Sequence, residues 1–432
     1  MDTRSGVGSL LQLQANSTIE SDHMYGKDTL DLFKATYKHH TTFDKQPTDL
    51  NNSKSIIQYN ETDTTNAEFG DTIVFNVDTK QAEMIGHLII RIGLPDITQY
   101  HWDNERSYQW TNDIGYAMIE YVKIINGDEE LVSYSGNYLH LYSLLNMVHS
   151  KRNGFSCMIG HYNTRHSLHG RSRTLYIPIP FMENRDDRQY YPLFISSAQT
   201  FQIRVKLNKV RDLIYVPSDQ SVHCSFRIIS NNVNVQIRTK DDIRIAPKLE
   251  ARLLFDSFHL TKEERVLFLT RKSHILFQYV QERSFRLQQD DIELGMLLDF
   301  SHAVSSMIVC VIPDCALDHN IHFQYEPLTR IKLILNGVTV NKSHYNHDKM
   351  SAERFRYLHS FTNIPNKWIY VIPFCLSNDN TQPSGYFSFD APNKKSTLTI
   401  ERENAGHACT VYIYAITYNK LNMDHGVISS VM

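Results

Sequence analysis

The chain has 432 residues with 44 Lys and Arg against 47 Asp and Glu, a formal net charge of −3, and no basic run long enough to grip nucleic-acid phosphates directly. Apolar residues make up 41%, with 24 Tyr and 21 Phe, which excludes bulk disorder and suits a packed, β-rich interior. This length suggests about two domains of roughly 200 residues each.

The start, Met1 to Gly6, is polar, and residues 1–26 read as an arm anchored by Leu10, Leu11 and Leu13. Neither a signal peptide nor a membrane anchor is expected, because the longest apolar runs, Leu88 to Leu94 and Met307 to Ile312, are too short to span a bilayer. Without a secretory signal, the Asn-x-Ser/Thr triplets at Asn16, Asn51, Asn60 and Asn341 read as chance matches. Thr41 to Gly70 has the composition of a surface loop. Leu88, Ile90, Ile92 and Leu94 then alternate onto one face of a strand, as do Ile203, Val205 and Leu207, and later Ile331, Leu333 and Leu335.

Ile124-Ile125 runs into Asn126-Gly127, and Ile334-Leu335 into Asn336-Gly337, the pair that best tolerates the positive φ of a tight hairpin turn. A helix is predicted over Tyr138 to Val148, and a shorter one over Ser351 to Leu358. Tyr176 to Phe181 and Tyr370 to Phe374 are strands with Pro-Phe endings, followed by loops carrying Pro192 and Pro383, the latter close to Gly385. Asn232 to Arg238 alternates as a half-buried strand. Leu249 to Asp256 reads as the strand that opens a second domain, with a helix capped by Thr261 and Glu264 after it. The same order of turn, helix and Pro-Phe strand in both halves predicts a duplicated β-sandwich, divided as jelly roll 1 over 27–240 and jelly roll 2 over 241–432.

Chemistry-bearing motifs are sparse. The six cysteines, Cys157, Cys224, Cys310, Cys315, Cys375 and Cys409, form no Cys-x-x-Cys pair and read as reduced, buried thiols. His319/His322 and His344/His347 are spaced His-x-x-His, which a strand would split between its faces, so neither a metal site nor another cofactor is expected. Gly-x-Ser-x-Gly is absent, and Gly6-Val7-Gly8 lacks the rest of a phosphate loop. No catalytic residue is assigned, and the expectation is a protein that is not an enzyme. The 21 histidines motivate a pH-sensitive association of subunits.

Several stretches together resemble one family. Gly8 to Leu13 with Leu32 to Phe43, Tyr191 to Phe194 with Phe201 to Leu207, Leu249 to Asp256 with Thr261 to Arg265 and Gln278 to Gln281, Ile364 to Tyr370, Gln382 to Phe389, and Val411 to Leu421 are similar to the major capsid proteins of nucleocytoplasmic large DNA viruses, the group of iridoviruses, ascoviruses, marseilleviruses and phycodnaviruses. Tyr25 to Asp28 and the tail Asp424 to Val427 depart from that pattern. The resemblance implies an all-β fold of two consecutive eight-stranded jelly-roll sandwiches with short helices in loops. It further implies a homotrimer whose six sandwiches make a pseudo-hexagonal capsomer for an icosahedral shell. Minor capsid and penton proteins and inner viral membrane proteins would be its partners, with assembly in the host cytoplasm and a final place in the virion. A transient double jelly-roll scaffold of the poxvirus type is the other reading. In either, Asn126, Gly127, Asn336, Gly337, Pro383 and Gly385 are structural turn residues.

Overall fold

The computed structural model describes residues 45–49, 57–59, 67–77, 83–97, 109–161, 170–182, 190–196, 200–215, 226–230, 233–237, 249–258, 262–270, 273–344, 368–376, 383–389, 395–402, 406–424 and 427–430. The arm over 1–26, the segment Leu32 to Phe43, Thr261, Cys224, His347, the Ser351 to Leu358 helix and the first two Asn-x-Ser/Thr sites after Asn16 lie outside them, as does Asn16 itself.

In the first half, strands run β1 (Lys45–Asp49), β2 (Ile57–Tyr59), β3 (Thr72–Val77) and β4 (Met84–Leu94), then helix α1 (Ile114–Ala117). Next come β5 (Ile119–Asn126), β6 (Glu129–Ser135), α2 (Gly136–Asn146), α3 (Arg152–Ile159), β7 (Arg173–Ile179) and β8 (Phe201–Leu207). Hairpin β9 (Phe226–Ser230) and β10 (Val233–Ile237) leads to β11 (Glu250–Phe258) and α4 (Lys262–Thr270). The second half carries β12 (Ser273–Leu287), β13 (Glu293–Leu298), β14 (Ala303–Pro313), α5 (Asp314–Asp318), β15 (Arg330–Leu335), β16 (Val338–His344), β17 (Ile369–Pro373), β18 (Phe387–Ser388), β19 (Ser396–Glu401), β20 (Cys409–Asp424) and β21 (Val427–Ser430). β1 and β2 thus fall within the stretch that composition alone reads as loop.

Pairing makes the duplication explicit. The first half builds sheets β1-β11-β4-β7 and β2-β3-β8-β5-β6; the second builds β12-β20-β14-β17 and β13-β19-β15-β16. Strand for strand, β1, β3, β4, β5, β6, β7, β8 and β11 match β12, β13, β14, β15, β16, β17, β19 and β20, and all ladders are antiparallel. This is the jelly-roll order twice over.

The division at 240/241 does not follow this pairing. Glu250–Phe258, which opens the second half in the sequence reading, lies between β1 and β4 as the closing strand of the first roll. Its clean alternation fits either roll, and only long-range pairing decides which. The crossing between rolls runs through α4, which is fastened to the first roll by the Arg265–Glu83 ion pair and by Phe268 packed edge-on against Phe194, centroids 5.8 Å apart.

Prolines mark sheet edges. β1, with Pro47, β7, with Pro178, and β17, ending at Pro373, each terminate a strand order, where a missing N–H costs no ladder bond. The two Pro-Phe strands are therefore equivalent edge strands of the two rolls.

The two Asn-Gly turns are not equivalent. In β15–β16 the loop is Asn336-Gly337, with φ of 51° and 83°, the type I′ pattern. In β5–β6, Asn126 still pairs with Glu129, so the loop is Gly127-Asp128 and only Gly127 is left-handed (φ 62°), the II′ pattern. Asn126 is a buried strand residue. Beyond each turn the ladders agree: two pairs form, and then Leu131 of β6 and Val340 of β16 bulge out of register.

Packing differs between the halves. Leu298, Leu333, Leu398 and Val411 belong to a core private to the second roll. The first roll's core, around Ile90, Ile124, Ile177 and Val205, extends without a break into the outer face of sheet β12-β20-β14-β17. Along β14, Met307, Val309 and Val311 point to the private core, while Ile308, Cys310 and Ile312 point to the shared one. The Met307 to Ile312 run is continuous in sequence because this strand is buried on both faces. Cys310, Cys375 and Cys409 are buried, but Cys157 and Cys315 are exposed, against the expectation for all of these thiols.

Candidate functional site

The densest polar chemistry among the described residues lies in the seam between the rolls. Helix α2 supplies one wall. It begins two residues before the predicted Tyr138 and ends at Asn146, because Ser135 caps it, its Oγ accepting from the Tyr138 N–H at 3.3 Å. Tyr138, Leu139, His140, Leu141, Ser143 and Leu145 are all buried, so the helix is covered nearly all round. Gly136 permits its entry: a Cβ there would sit 2.3 Å from the carbonyl oxygens of both Tyr116 and Ile119.

Asn137 donates to Tyr414 Oη of β20 at 2.7 Å and accepts from Tyr325 Oη at 3.2 Å. Since the single Tyr325 proton goes to Asn137, its oxygen is left to accept from His140 Nδ1 at 2.8 Å. The His140 ring lies flat on Phe323, centroids 3.9 Å apart, and its Nε2 stands 3.4 Å from Asp113 Oδ2. His161 Nδ1 meets Asp113 Oδ1 at 2.9 Å. Asp113 adopts a left-handed backbone (φ 53°) and its carbonyl accepts from the N–H groups of Tyr116 and Ala117, starting α1. Burial pushes its carboxyl up, but hydrogen bonds from His140 and His161 outweigh burial and hold it well below the usual carboxylate range.

The connection after α5 completes the seam from the second roll. Thr111 donates its hydroxyl to the Asn320 carbonyl at 2.6 Å. Asn320 in turn donates from Nδ2 to the carbonyls of Arg211 (2.7 Å) and Ile214 (2.6 Å), and His322 Nε2 donates to the Asp212 carbonyl at 2.6 Å. Each bond joins one roll to the backbone of the other. Aromatic rings fill the remainder: Tyr138 stacks on Tyr134 at 5.4 Å and tilts against Tyr414 at 5.5 Å. Burial pushes the phenols of Tyr138, Tyr325 and Tyr414 far up, so they serve as neutral hydrogen-bonding groups. Glu282 of β12 is pushed up by burial too, against hydrogen bonds from Ser135 and Tyr414 that favour its charged form. The arrangement joins two sandwiches into one rigid unit.

Tyr325→Phe removes the hydroxyl that links Asn137 to His140, taking one partner from the half-buried Asn137 and one from the buried His140. A loss of about 1–3 kcal/mol is expected, read from the shift of a urea-unfolding midpoint. A midpoint equal to wild type would show that the hydroxyl carries no part of the seam.

The turn residues do not converge on this seam or on one another. Gly127 donates its N–H to the Thr200 carbonyl at 2.8 Å, Asn336 donates its N–H to Ser396 Oγ at 3.2 Å, and the two hairpins belong to different sheets. Gly385 lies against the Phe374 segment, where a Cβ would approach the Phe374 carbonyl oxygen to 2.7 Å; Pro383 is half-buried two residues before it. His319 and His322 sit in the connection after α5 rather than on a strand. Sequence reasoning missed Asp113, Asn137, His140, Asn320 and Tyr325. Its one available signal was Asn137 and His140 bordering an otherwise apolar helical pattern, where a buried polar side chain demands a partner.

Comparison with known proteins bears on this architecture. Residues 31–239 match the family described as "Major capsid protein N-terminus". "Probable capsid protein 4" of Acanthamoeba polyphaga mimivirus is 24% identical over 223 residues, 50% of this chain and 41% of that protein. The "Major capsid protein" of Phaeocystis pouchetii virus is 19% identical over 390 residues, covering 83% of this chain and 66% of the relative. Among solved structures, the PBCV-1 virus capsid protein superposes with a TM-score of 0.68 at 15% identity, over 92% of this chain and 98% of that one. The Faustovirus major capsid protein gives 0.66 at 10% identity, over 97% of both. Over residues 31–239, and in its fold, the chain is similar to the major capsid proteins of large DNA viruses. The chain spans less than half the length of the mimivirus relative, and the structural likenesses establish the double jelly roll as its fold. The seam is accordingly the joint between the two sandwiches of that fold.

Proposed function

We propose that the protein is a non-enzymatic building block of an icosahedral shell, three copies forming a pseudo-hexagonal capsomer and capsomers tiling the facets. The observation that carries this reading is the seam: two rolls of one strand order are locked side by side by a shared core and by hydrogen bonds from each roll to the backbone of the other. A rigid pair presents two similar outer surfaces, which lets three copies approximate six-fold packing while only a three-fold contact need close. The pairing of β11 supports a roll 1 that ends near 258 and a roll 2 that starts near 273. Minor capsid, penton and inner membrane proteins are the partners such a capsomer calls for, with the virion capsid as its place and the host cytoplasm as its site of assembly.

The test is light scattering on the purified full chain with negative-stain images of the peak. A mass three times the chain's 50.3 kDa and a hexagonal outline are expected. A monomer at all concentrations would overturn the capsomer reading.

A further inference from the structure

Five polar side chains of the joint stand in a single file with a titratable group at each end. His140 Nδ1 meets Tyr325 Oη at 2.8 Å, Tyr325 Oη meets Asn137 Oδ1 at 3.2 Å, Asn137 Nδ2 meets Tyr414 Oη at 2.7 Å, and Tyr414 Oη meets Glu282 Oε1 at 3.4 Å. Helix α2 of the first roll supplies His140 and Asn137; the second roll supplies Tyr325 from the connection after α5, Tyr414 from β20 and Glu282 from β12.

Four links need four hydrogens. Each phenol brings one, since burial keeps both neutral, and the Asn137 amide gives one along the file. The fourth must come from an end. Nε2 of His140 has none to lend, because it faces Asp113 Oδ2 at 3.4 Å, and a bare ring nitrogen there would set its lone pair against a buried carboxylate. With a hydrogen on Nδ1 as well, His140 is a cation and every bond runs toward an ionised Glu282. With the Asn137 amide turned over, every bond runs the other way, and the same proton sits on the Glu282 carboxyl while His140 is neutral. Both arrangements complete the file. With no proton at either end, one link sets two acceptors face to face, which strips a buried polar group of its partner.

The surroundings add charge of the opposite sign. Asp113 lies beyond His140 and is shared with His161, which is half-buried just after α3. His322, next to Phe323, donates to the Asp212 carbonyl, and Ser135 bonds Glu282. Tyr116 of α1, Tyr138 of α2, Cys310 of β14 and Tyr412 of β20 are all pushed up by burial and stay neutral. A proton on the file thus offsets one of the two carboxyls that bracket it.

We propose that the joint holds one proton in common between His140 and Glu282, and that the two rolls are held less tightly once rising pH removes it. In the unfolded chain a Glu releases its proton near pH ~4.3 and a His near ~6.5. Above the second value the folded chain binds one proton more than the unfolded chain, so stability falls as pH rises, until the folded pair releases it. The contribution is fully present below that value. This device lies within one chain and holds whether or not copies associate.

The test follows urea unfolding of the full chain between about pH 6.5 and 9 for wild type, Glu282→Gln and Tyr414→Phe. Glu282→Gln places a permanent donor at one end of the file; Tyr414→Phe cuts the file and keeps the ring that tilts against Tyr138. Relative to either variant, the wild-type unfolding constant is expected to rise by up to about tenfold per pH unit, then level off once the proton has left. Titration elsewhere in the chain is common to all three proteins and cancels in the ratio. If one variant fails to fold, the other gives the same reading. A constant ratio across the range would overturn the shared proton, and so would a wild-type slope retained by either variant, which would show the two ends titrating separately.

Discussion

Gly136→Ala is expected to cost about 3 kcal/mol or more, the upper range for inserting a single carbon into packed surroundings. The added methyl would meet two backbone carbonyl oxygens at 2.3 Å, those of Tyr116 and Ile119, and neither belongs to a side chain that could turn away. Relief requires α2 to shift, and the next residue, Asn137, holds Tyr414 and Tyr325 of the second roll. The damage therefore spreads from the helix to the seam, and the single unfolding transition is expected to split as the rolls lose their shared joint. Gly154→Ala is the control. It lies inside α3 with nothing within 4 Å of a Cβ, so it is expected to stabilise by about 0.5–1 kcal/mol through the lower backbone entropy of the unfolded chain. Urea midpoints monitored by circular dichroism measure both, and a Gly136→Ala midpoint at the wild-type position would refute the packing argument.

Alternation made individual strands readable from sequence: Leu88 to Leu94, Ile203 to Leu207 and Ile331 to Leu335 pair as the period of two dictates. The repeated order of turn, helix and proline-ended strand marked the duplication, because edge prolines and tight turns are local signals. Ownership of a strand is not local. Nothing within Glu250–Phe258 distinguishes a closing strand of one roll from an opening strand of the next, since both alternate and both lie in a four-stranded row. The one-residue offset between the two Asn-Gly turns was hidden for a similar reason: the same dipeptide serves as a loop in one hairpin and as last pair plus first loop residue in the other, and register is set by the whole ladder.

The seam was the least legible part. Counting histidines gives no positions, and the residues that meet at Asp113 come from α2, from the end of α3 and from the turn before α1. Asn320 and Tyr325 reach their partners across sequence separations of about 110 to 190 residues, which no spacing rule covers. The inward and outward halves of β14 and β20 are likewise indistinguishable in sequence, both being aliphatic or aromatic, so that one face could be taken for core and the other for a membrane or partner surface.

Asp113→Ala is the substitution with the largest expected effect at that seam, about 3–5 kcal/mol. The carboxylate is buried, and it is the shared partner of His140 and His161; removing it takes the charged partner from the ring nitrogen of His140, itself buried. Asp113→Asn keeps the volume and removes the charge, which isolates the pH dependence. The folded carboxyl titrates below its ordinary value of 3.8, so the unfolded chain binds the proton more readily. The contribution of Asp113 is then fully present above that ordinary value and is lost as pH falls from it toward the depressed folded value. Wild type is expected to lose stability on acidification through this window more steeply than Asp113→Asn, and the difference between the two is expected to stay level from about pH 5 upward, where the carboxyl is ionised in both states. Unfolding midpoints of both proteins between pH 2.5 and 7 decide the matter. Parallel curves across the acid limb would mean that the histidine bonds do not hold the carboxylate in its charged form.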